Sequence, residues 1–251
     1  MRGRCIALLL GAALAPFPVR VEQESASGAS ARDVQGIVQT IETHYHAART
    51  LKAAFLERFS EDGKVVRLES GIVYFSRPGR MRWEYESPEN KLFLADGKTA
   101  WFYVPADRTV TRVRMKESAD WRTPLALLTR KAKLSRLCGL IELVNQPRTP
   151  AGHAVLRCLP REPAPKAPPG HVGSAAEASV ENGNFHEVFL EVDVTSGELA
   201  RVLVRQAGGV ELEYRFGNWR ENIALPEALF HFQPPAGVAI VDEASVGLRS
   251  Y

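Results

Sequence analysis

His44 and His46 are the closest pair of histidines in the chain. Two residues apart on a helix, their side chains point about 200° from each other, a spacing that cannot bring both imidazoles to one metal. The motifs that mark activated nucleophiles and phosphate cradles are missing: there is no Gly-x-Ser-x-Gly, no Cys-x-x-Cys and no glycine-rich phosphate loop. The acidic pairs Glu57 with Glu61 and Glu211 with Glu213 have the chemistry of an acid and a base, but on alternating strands they read as solvated faces. Arg77, Arg80 and Arg82 beside Trp83 and Tyr85 look like the basic-aromatic interleaving of a nucleic-acid surface. Strand alternation instead puts Met81, Trp83 and Tyr85 on one face and Arg80, Arg82 and Glu84 on the other. A lipid hydrolase would need His153 or His186 to converge with a serine, which no local spacing provides. No catalytic residue, metal site or cofactor is assigned.

The elements that would position any site begin after a leader-like start. Arg2 and Arg4 precede an apolar run from Ile6 to Ala15 that ends in Ala13-Leu14-Ala15, the pattern of an export signal cleaved near residue 15. Without residues 1–15 the charge falls from 32 − 29 = +3 to 30 − 29 = +1. A near-neutral chain gives no electrostatic ground for a nucleic-acid partner. Cys5 lies within the leader and ahead of the apolar run, where it does not fit a lipid-anchor site, so the exported protein is expected to be soluble and unanchored; it is also expected to be a monomer. Cys138 and Cys158 remain in an oxidising compartment. Their midpoint falls in the turn-like run Asn145-Gln-Pro-Arg-Thr-Pro-Ala-Gly152, which fits either a disulfide across a hairpin or two buried thiols.

Residues 16–30 read as a flexible segment, and a single domain as spanning 31–251. Apolar residues at Val34, Ile37, Val38, Ile41 and Tyr45 carry the helical period. From Leu51 the period becomes two, and Asp62-Gly63 marks a hairpin. Strand signals follow at 65–75, 81–85, 91–95, 98–104, 109–114, 139–144, 153–159, 184–194, 199–206 and 210–216, without helices between successive strands of the first half. Such spacing indicates an antiparallel meander. Thr123-Pro124 with Leu125, Leu127 and Leu128 predicts a short apolar helix, and the prolines at 160, 163, 165, 168 and 169 mark an inserted surface loop at about 160–183. The strands of the first half carry an unusual load of large apolar side chains. A curved sheet covered by so little helix is expected either to fill a core with them or to leave a cavity for an apolar ligand.

Three runs then become specific: Ser70-Gly-Ile-Val-Tyr-Phe-Ser-Arg-Pro-Gly-Arg-Met-Arg-Trp-Glu-Tyr85, Ser87-Pro88-Glu89 and Ala95-Asp-Gly-Lys-Thr-Ala-Trp-Phe-Tyr-Val-Pro105. In this order they resemble the periplasmic outer-membrane lipoprotein carrier family, LolA. Thr123-Pro-Leu-Ala-Leu-Leu128, Leu156-Arg-Cys-Leu-Pro160 and Phe230-His-Phe-Gln-Pro-Pro-Ala-Gly-Val238 extend the likeness to about residues 31–241. The 160–183 insertion and the cysteine pair depart from the family pattern. The resemblance implies a mainly β fold with some α, an incomplete and strongly curved antiparallel barrel of about eleven strands with a helical lid. It implies an acyl-chain cavity at Phe55, Val73, Phe75, Met81, Trp83, Leu92, Leu94, Trp101 and Tyr103, with Arg77 as a latch on the lid backbone. The implied role is to take acylated lipoproteins from an inner-membrane ABC transporter to an outer-membrane acceptor, where one is present. A protein of the same fold that carries another lipid, or that senses lipoproteins in a regulatory system, is the alternative.

Energetics constrain such a carrier. At about 0.8 kcal/mol per buried methylene, a sixteen-carbon chain removed from water contributes roughly 13 kcal/mol. Three chains fully buried would exceed the ceiling of about 20 kcal/mol for reversible association. Burial must therefore be incomplete or offset by the opening of a lid.

Overall fold

A computed structural model describes residues 26–114, 128, 133–161 and 185–243. Helix α1 (Ala26–Ala47) leads into β1 (Thr50–Glu61), β2 (Lys64–Ser76), β3 (Arg80–Ser87), β4 (Lys91–Ala95), β5 (Thr99–Val104) and β6 (Thr109–Arg114). A single-turn helix α2 (Leu134–Leu137) precedes β7 (Cys138–Val144), β8 (His153–Pro160), β9 (Phe185–Asp193), β10 (Leu199–Gln206) and β11 (Val210–Glu221). After a 3-10 turn at Glu227–Phe230 comes β12 (Ala239–Glu243). The helical pattern expected from Val34 begins earlier, at Ala26, so the end of the segment expected to be flexible is helical. Of the short helix expected at 123–128 only Leu128 lies within the described residues; it is helical and fully buried. The leader and most of the 160–183 insertion lie outside them.

The strands form one strongly curved, open sheet in the order β12-β6-β5-β4-β3-β2-β1-β11-β10-β9-β8-β7. The first strand sits at its centre, paired on one side with β2 and on the other with β11. Strands β1–β6 and β7–β11 are two antiparallel meanders of the kind the turn spacing predicts, joined by the long-range antiparallel pairing of β1 with β11. The twelfth, β12, joins the edge in parallel with β6, pairing Ile240 with Val110. A return from the C-terminal end to a distant edge has no local signal in the sequence.

Local chemistry explains the turns. Asp62 and Gly63 have φ of 47° and 77°, the two left-handed positions of a tight hairpin, which asparagine, aspartate and glycine tolerate best. Gly71 serves a different need: the β2–β3 pairing slips between Ser70 and Gly71, and a Cβ there would lie 1.9 Å from the Glu84 carbonyl oxygen. Only glycine permits that approach of two backbones.

Alternation divides the sheet into two faces. The inner face carries Leu51, Ala53, Phe55, Val73, Phe75, Trp83, Val188, Leu190, Val202 and Val204, all in one buried cluster with Ile41 and Tyr45 of α1. The helix is fixed there by Tyr45, whose hydroxyl accepts a hydrogen bond from the Leu199 amide at 2.8 Å, while Trp219 Nε1 donates to the Leu199 carbonyl at 2.9 Å. Glu42 of the same helix accepts from the Leu134 amide at 2.7 Å and so holds the start of α2. On the outer face of β8–β11, Arg157, Arg201 and Arg205 are paired to Glu187, Glu191 and Glu211. Partly exposed pairs of this kind contribute little stability each and mainly keep that face in water.

Cys138 and Cys158 form a disulfide with Cα atoms 5.4 Å apart, tying the edge strand β7 to β8. It closes a loop with a sequence separation of 20. Replacing both cysteines by serine is expected to cost about 3 kcal/mol. For a chain of this size that lowers Tm by roughly 6–12 °C. Differential scanning calorimetry of the double variant checks this, and an unchanged Tm would contradict it.

Candidate functional site

The inner face of β1, β2 and β3 is a row of aromatic and aliphatic side chains whose positions follow from strand register. Leu51 pairs with Phe75 and Phe75 with Met81; Ala53 pairs with Val73 and Val73 with Trp83. Phe55 faces Gly71, where the missing side chain lets the β3 backbone at Glu84 and Tyr85 come close. Phe55 meets Trp83 and Tyr85 edge-on at centroid distances of 4.8 and 5.0 Å, and Trp83 reaches Tyr214 at 5.2 Å. Phe55, Val73, Phe75 and Trp83 are at most 3% exposed, and Met81 packs half-buried against them. These five residues, expected from the sequence as cavity positions, therefore share one surface.

The other four do not. Leu92 pairs with Glu84, Leu94 with Arg82, and Trp101 and Tyr103 pair with Leu94 and Leu92. All four lie on the outer face. They are covered there by the C-terminal strap rather than by the interior: Phe232 meets Trp101 and Tyr103 at 5.7 and 5.6 Å. The strap is held by Arg82, which donates to the Leu229 carbonyl at 3.1 Å, and by an ion pair of Arg80 with Glu227. The physical reason is parity. Trp83 pairs with Phe93, so the odd-numbered residues of β4 face inward, and the turn at Asp96-Gly97 pairs Ala95 with Ala100, which turns the even-numbered residues of β5 inward. Phe93 and Phe102 are thus the inner aromatic residues of these strands, and counting parity through the turn is the signal that would have found them.

Two carboxylates expected on solvated faces are buried: Glu57 is 5% exposed and Glu213 3%. Glu213 faces outward and is satisfied by Arg58 at 2.6 Å and Arg215 at 2.7 Å. Glu57 faces inward, one alternation beyond Phe55. It accepts from the Tyr85 hydroxyl at 2.8 Å, lies 3.7 Å from Arg67 and is directly opposite Glu69. Glu69 is paired with Arg67 at 3.0 Å and with Lys91. Burial raises the Glu57 carboxyl above its ordinary 4.5; Glu69 pushes it the same way, and Tyr85, Arg67 and Lys91 oppose.

Arg77 ends β2 in a cis peptide to Pro78, and its amide donates to the Arg49 carbonyl at 3.1 Å. Desolvation lowers the pKa of its half-buried guanidinium. His153 lies on the outer face, 3.5 Å from Glu191, and His186 is exposed, so neither is placed in the apolar interior with a nucleophile. Among the described residues no group of three or more His, Cys, Asp or Glu could hold a metal, and no helix is long and apolar enough to cross a membrane. A recess of about 500 Å³ opens around Lys52, Ala54, Ile72 and Arg220, next to the β1–β11 register slip. It meets the apolar cluster at Ala53 and Trp219, while α1 and Leu128 pack against the rest of that cluster.

Comparison with known proteins places these features in a family context. The sequence profile described as outer membrane lipoprotein carrier protein LolA matches residues 46–147. An outer-membrane lipoprotein carrier protein of Dechloromonas aromatica (strain RCB) is 30% identical over 209 residues, covering 83% of this chain and 88% of the relative. One from Methylibium petroleiphilum is 30% identical over 217 residues, covering 86% and 93%. Among solved structures, an uncharacterized conserved protein from Thermus thermophilus superposes with a TM-score of 0.49 at 14% identity, covering 83% of this chain and 98% of that one.

A carboxyl with a raised folded-state pKa holds its proton more tightly in the folded than in the unfolded chain. Its contribution to stability is fully present below the unfolded value and is lost as pH rises through the folded one. Glu57→Gln removes that titration. The stability of the wild type relative to the variant is therefore expected to fall as pH rises from about 4 towards neutrality, measured by urea unfolding at a series of pH values. A difference independent of pH would contradict the assignment.

Proposed function

The chain belongs to the outer-membrane lipoprotein carrier family, and from that premise we propose that it binds the acyl chains of lipoproteins on the inner face of its sheet and carries them through the periplasm. The observation that bears most on this reading is how the inner face is covered. Its large side chains are shielded by Ile41 and Tyr45 of α1 and by Leu128, which come from outside the sheet. Such a cover can be exchanged for hydrocarbon without breaking a single strand pairing. The inner residues Phe55, Val73, Phe75, Met81 and Trp83, together with Phe93, are the acyl-contacting surface in this proposal.

The exchange has to be nearly balanced. Burying a chain contributes about 0.8 kcal/mol per methylene, while displacing the cover exposes comparable apolar area to water. Arg77 directly follows β2, its backbone amide on the Arg49 carbonyl between α1 and β1, and in this proposal its side chain latches the sheet to the lid. Its guanidinium has five donors and stays charged, so carbonyls of a shut lid satisfy it better than the apolar surroundings left when the lid opens. Loading would come from a lipoprotein-releasing ABC transporter in the inner membrane, and delivery would be to an outer-membrane acceptor. No bond is made or broken in this cycle.

Trp83, 3% exposed in the middle of the apolar row, gives the test an optical reporter. Titration of the mature protein with a triacylated lipopeptide is expected to change tryptophan fluorescence saturably, and the deacylated peptide is expected to leave it unchanged. If the Arg77 guanidinium latches the closed state as proposed, Arg77→Leu is expected to bind about tenfold tighter or more. Absence of binding by the folded protein would overturn the carrier reading. Equal affinity of the variant would overturn the latch.

A further inference from the structure

The apolar row ends abruptly, at Glu57 and Glu69 on β1 and β2 and, one inward position earlier in the register, at Lys91 on β4. Descending β1, the inward positions are Leu51, Ala53 and Phe55 and then Glu57; on β2 they are Phe75, Val73 and Gly71 and then Glu69. The inward row of β3 passes from Trp83 to Tyr85, and that of β4 from Phe93 to Lys91, with Tyr85 and Lys91 directly paired. A belt of charge therefore crosses the sheet. Its carboxylates are buried, with side chains 6% and 5% exposed, and its cations Arg67 and Lys91 are 25% and 18% exposed, toward water. Beyond the belt the same face becomes apolar again, where Phe59 pairs with Leu212.

We propose that this belt is a chain-length ruler: the row from Leu51 to Phe55 receives the end of an acyl chain, and Glu57 with Glu69 sets the longest chain that fits. The inference rests on the carrier reading above and adds a limit to it. A methyl terminus pressed against Glu57 would strip the carboxylate of the Tyr85 and Arg67 contacts that make its burial tolerable, without replacing them. The dimensions agree. Residues 51–55 rise about 14 Å at the antiparallel spacing. One leaflet of a bilayer, the reach of a membrane lipid's chain, is about 15 Å of hydrocarbon. Glu57 is the decisive position, because replacing it by an apolar residue would join Phe55 to Phe59 in one uninterrupted row. The raised pKa of its carboxyl agrees with a group held in the same apolar surroundings.

The experiment measures the affinity of a series of lipopeptides that share one peptide and carry progressively longer saturated chains. For the wild type, affinity is expected to rise about fourfold per methylene and then to stop or fall at a defined length. Glu57→Leu is expected to move that limit to longer chains, and Glu57→Gln, still polar, to leave it in place. The double variant Glu57→Leu with Tyr85→Phe removes the hydroxyl left without its acceptor and guards against misfolding, which thermal unfolding monitors. Affinity that climbs without a break in the wild type, or a limit unmoved in both folded Leu variants, would overturn the ruler while leaving the carrier reading intact. Failure of every chain length to bind would overturn the carrier reading and the ruler with it.

Discussion

An apolar concave surface must be covered, and the rest of this structure follows from how that is done. A twelve-stranded sheet whose edge strands β12 and β7 lie at opposite ends of the order does not close on itself. Its inner face therefore cannot be sealed by strands alone. Here Ile41, Tyr45, Leu128 and Leu134 supply the missing apolar partners. The helix that carries two of them is tied to its neighbours by Tyr45 on the Leu199 amide, Glu42 on the Leu134 amide and His44 against Glu221 at 2.9 Å. Apolar burial is non-directional, so in the proposed cycle hydrocarbon can take the place of these side chains against the sheet.

The two faces obey different rules. Outward, the second half of the sheet interleaves arginine and glutamate over a small apolar cluster of Val155, Phe189 and Leu203, with Arg205 lying over the Phe189 ring at 4.8 Å. The first half is instead strapped by the C-terminal segment, through Phe230 and Phe232. Inward, charge occurs at the belt of Glu57, Glu69, Arg67 and Lys91, where every carboxylate has a cation or a hydroxyl against it. Isolated carboxylates would be intolerable in such a place, whereas paired and hydrogen-bonded ones can stay. The apolar row thus has a defined end, set by the pairing of β1 with β2.

Much of this was legible in the residues. Asp62-Gly63 marked a hairpin, the alternation of Met81, Trp83 and Tyr85 against Arg80, Arg82 and Glu84 separated the faces of β3, and the position of the Pro-rich turn between Cys138 and Cys158 allowed a disulfide that the structure contains. What was not legible depends on pairing over long distances or on parity. Leu94 and Trp101 look like cavity residues by type, yet the register through two turns places them outward, and Phe93 and Phe102 inward. Glu57 looks solvated because its neighbours in sequence are polar or exposed; its burial comes from Tyr85, Glu69 and Tyr214, which reach it from three other strands. The return of β12 to pair with β6 has no local cause at all.

In the proposed cycle cargo hydrocarbon lies on the inner face, in place of the helical cover. A photo-crosslinking phenylalanine analogue at Met81, half-buried on that face, and another at Tyr103, under the outer strap, distinguish the faces directly. With an acylated lipoprotein bound, illumination is expected to join protein and cargo from position 81 and not from position 103, and the product from position 81 is expected to disappear when the cargo lacks its acyl chains. Crosslinking from position 103 alone, or from position 81 with non-acylated cargo to the same extent, would contradict the account.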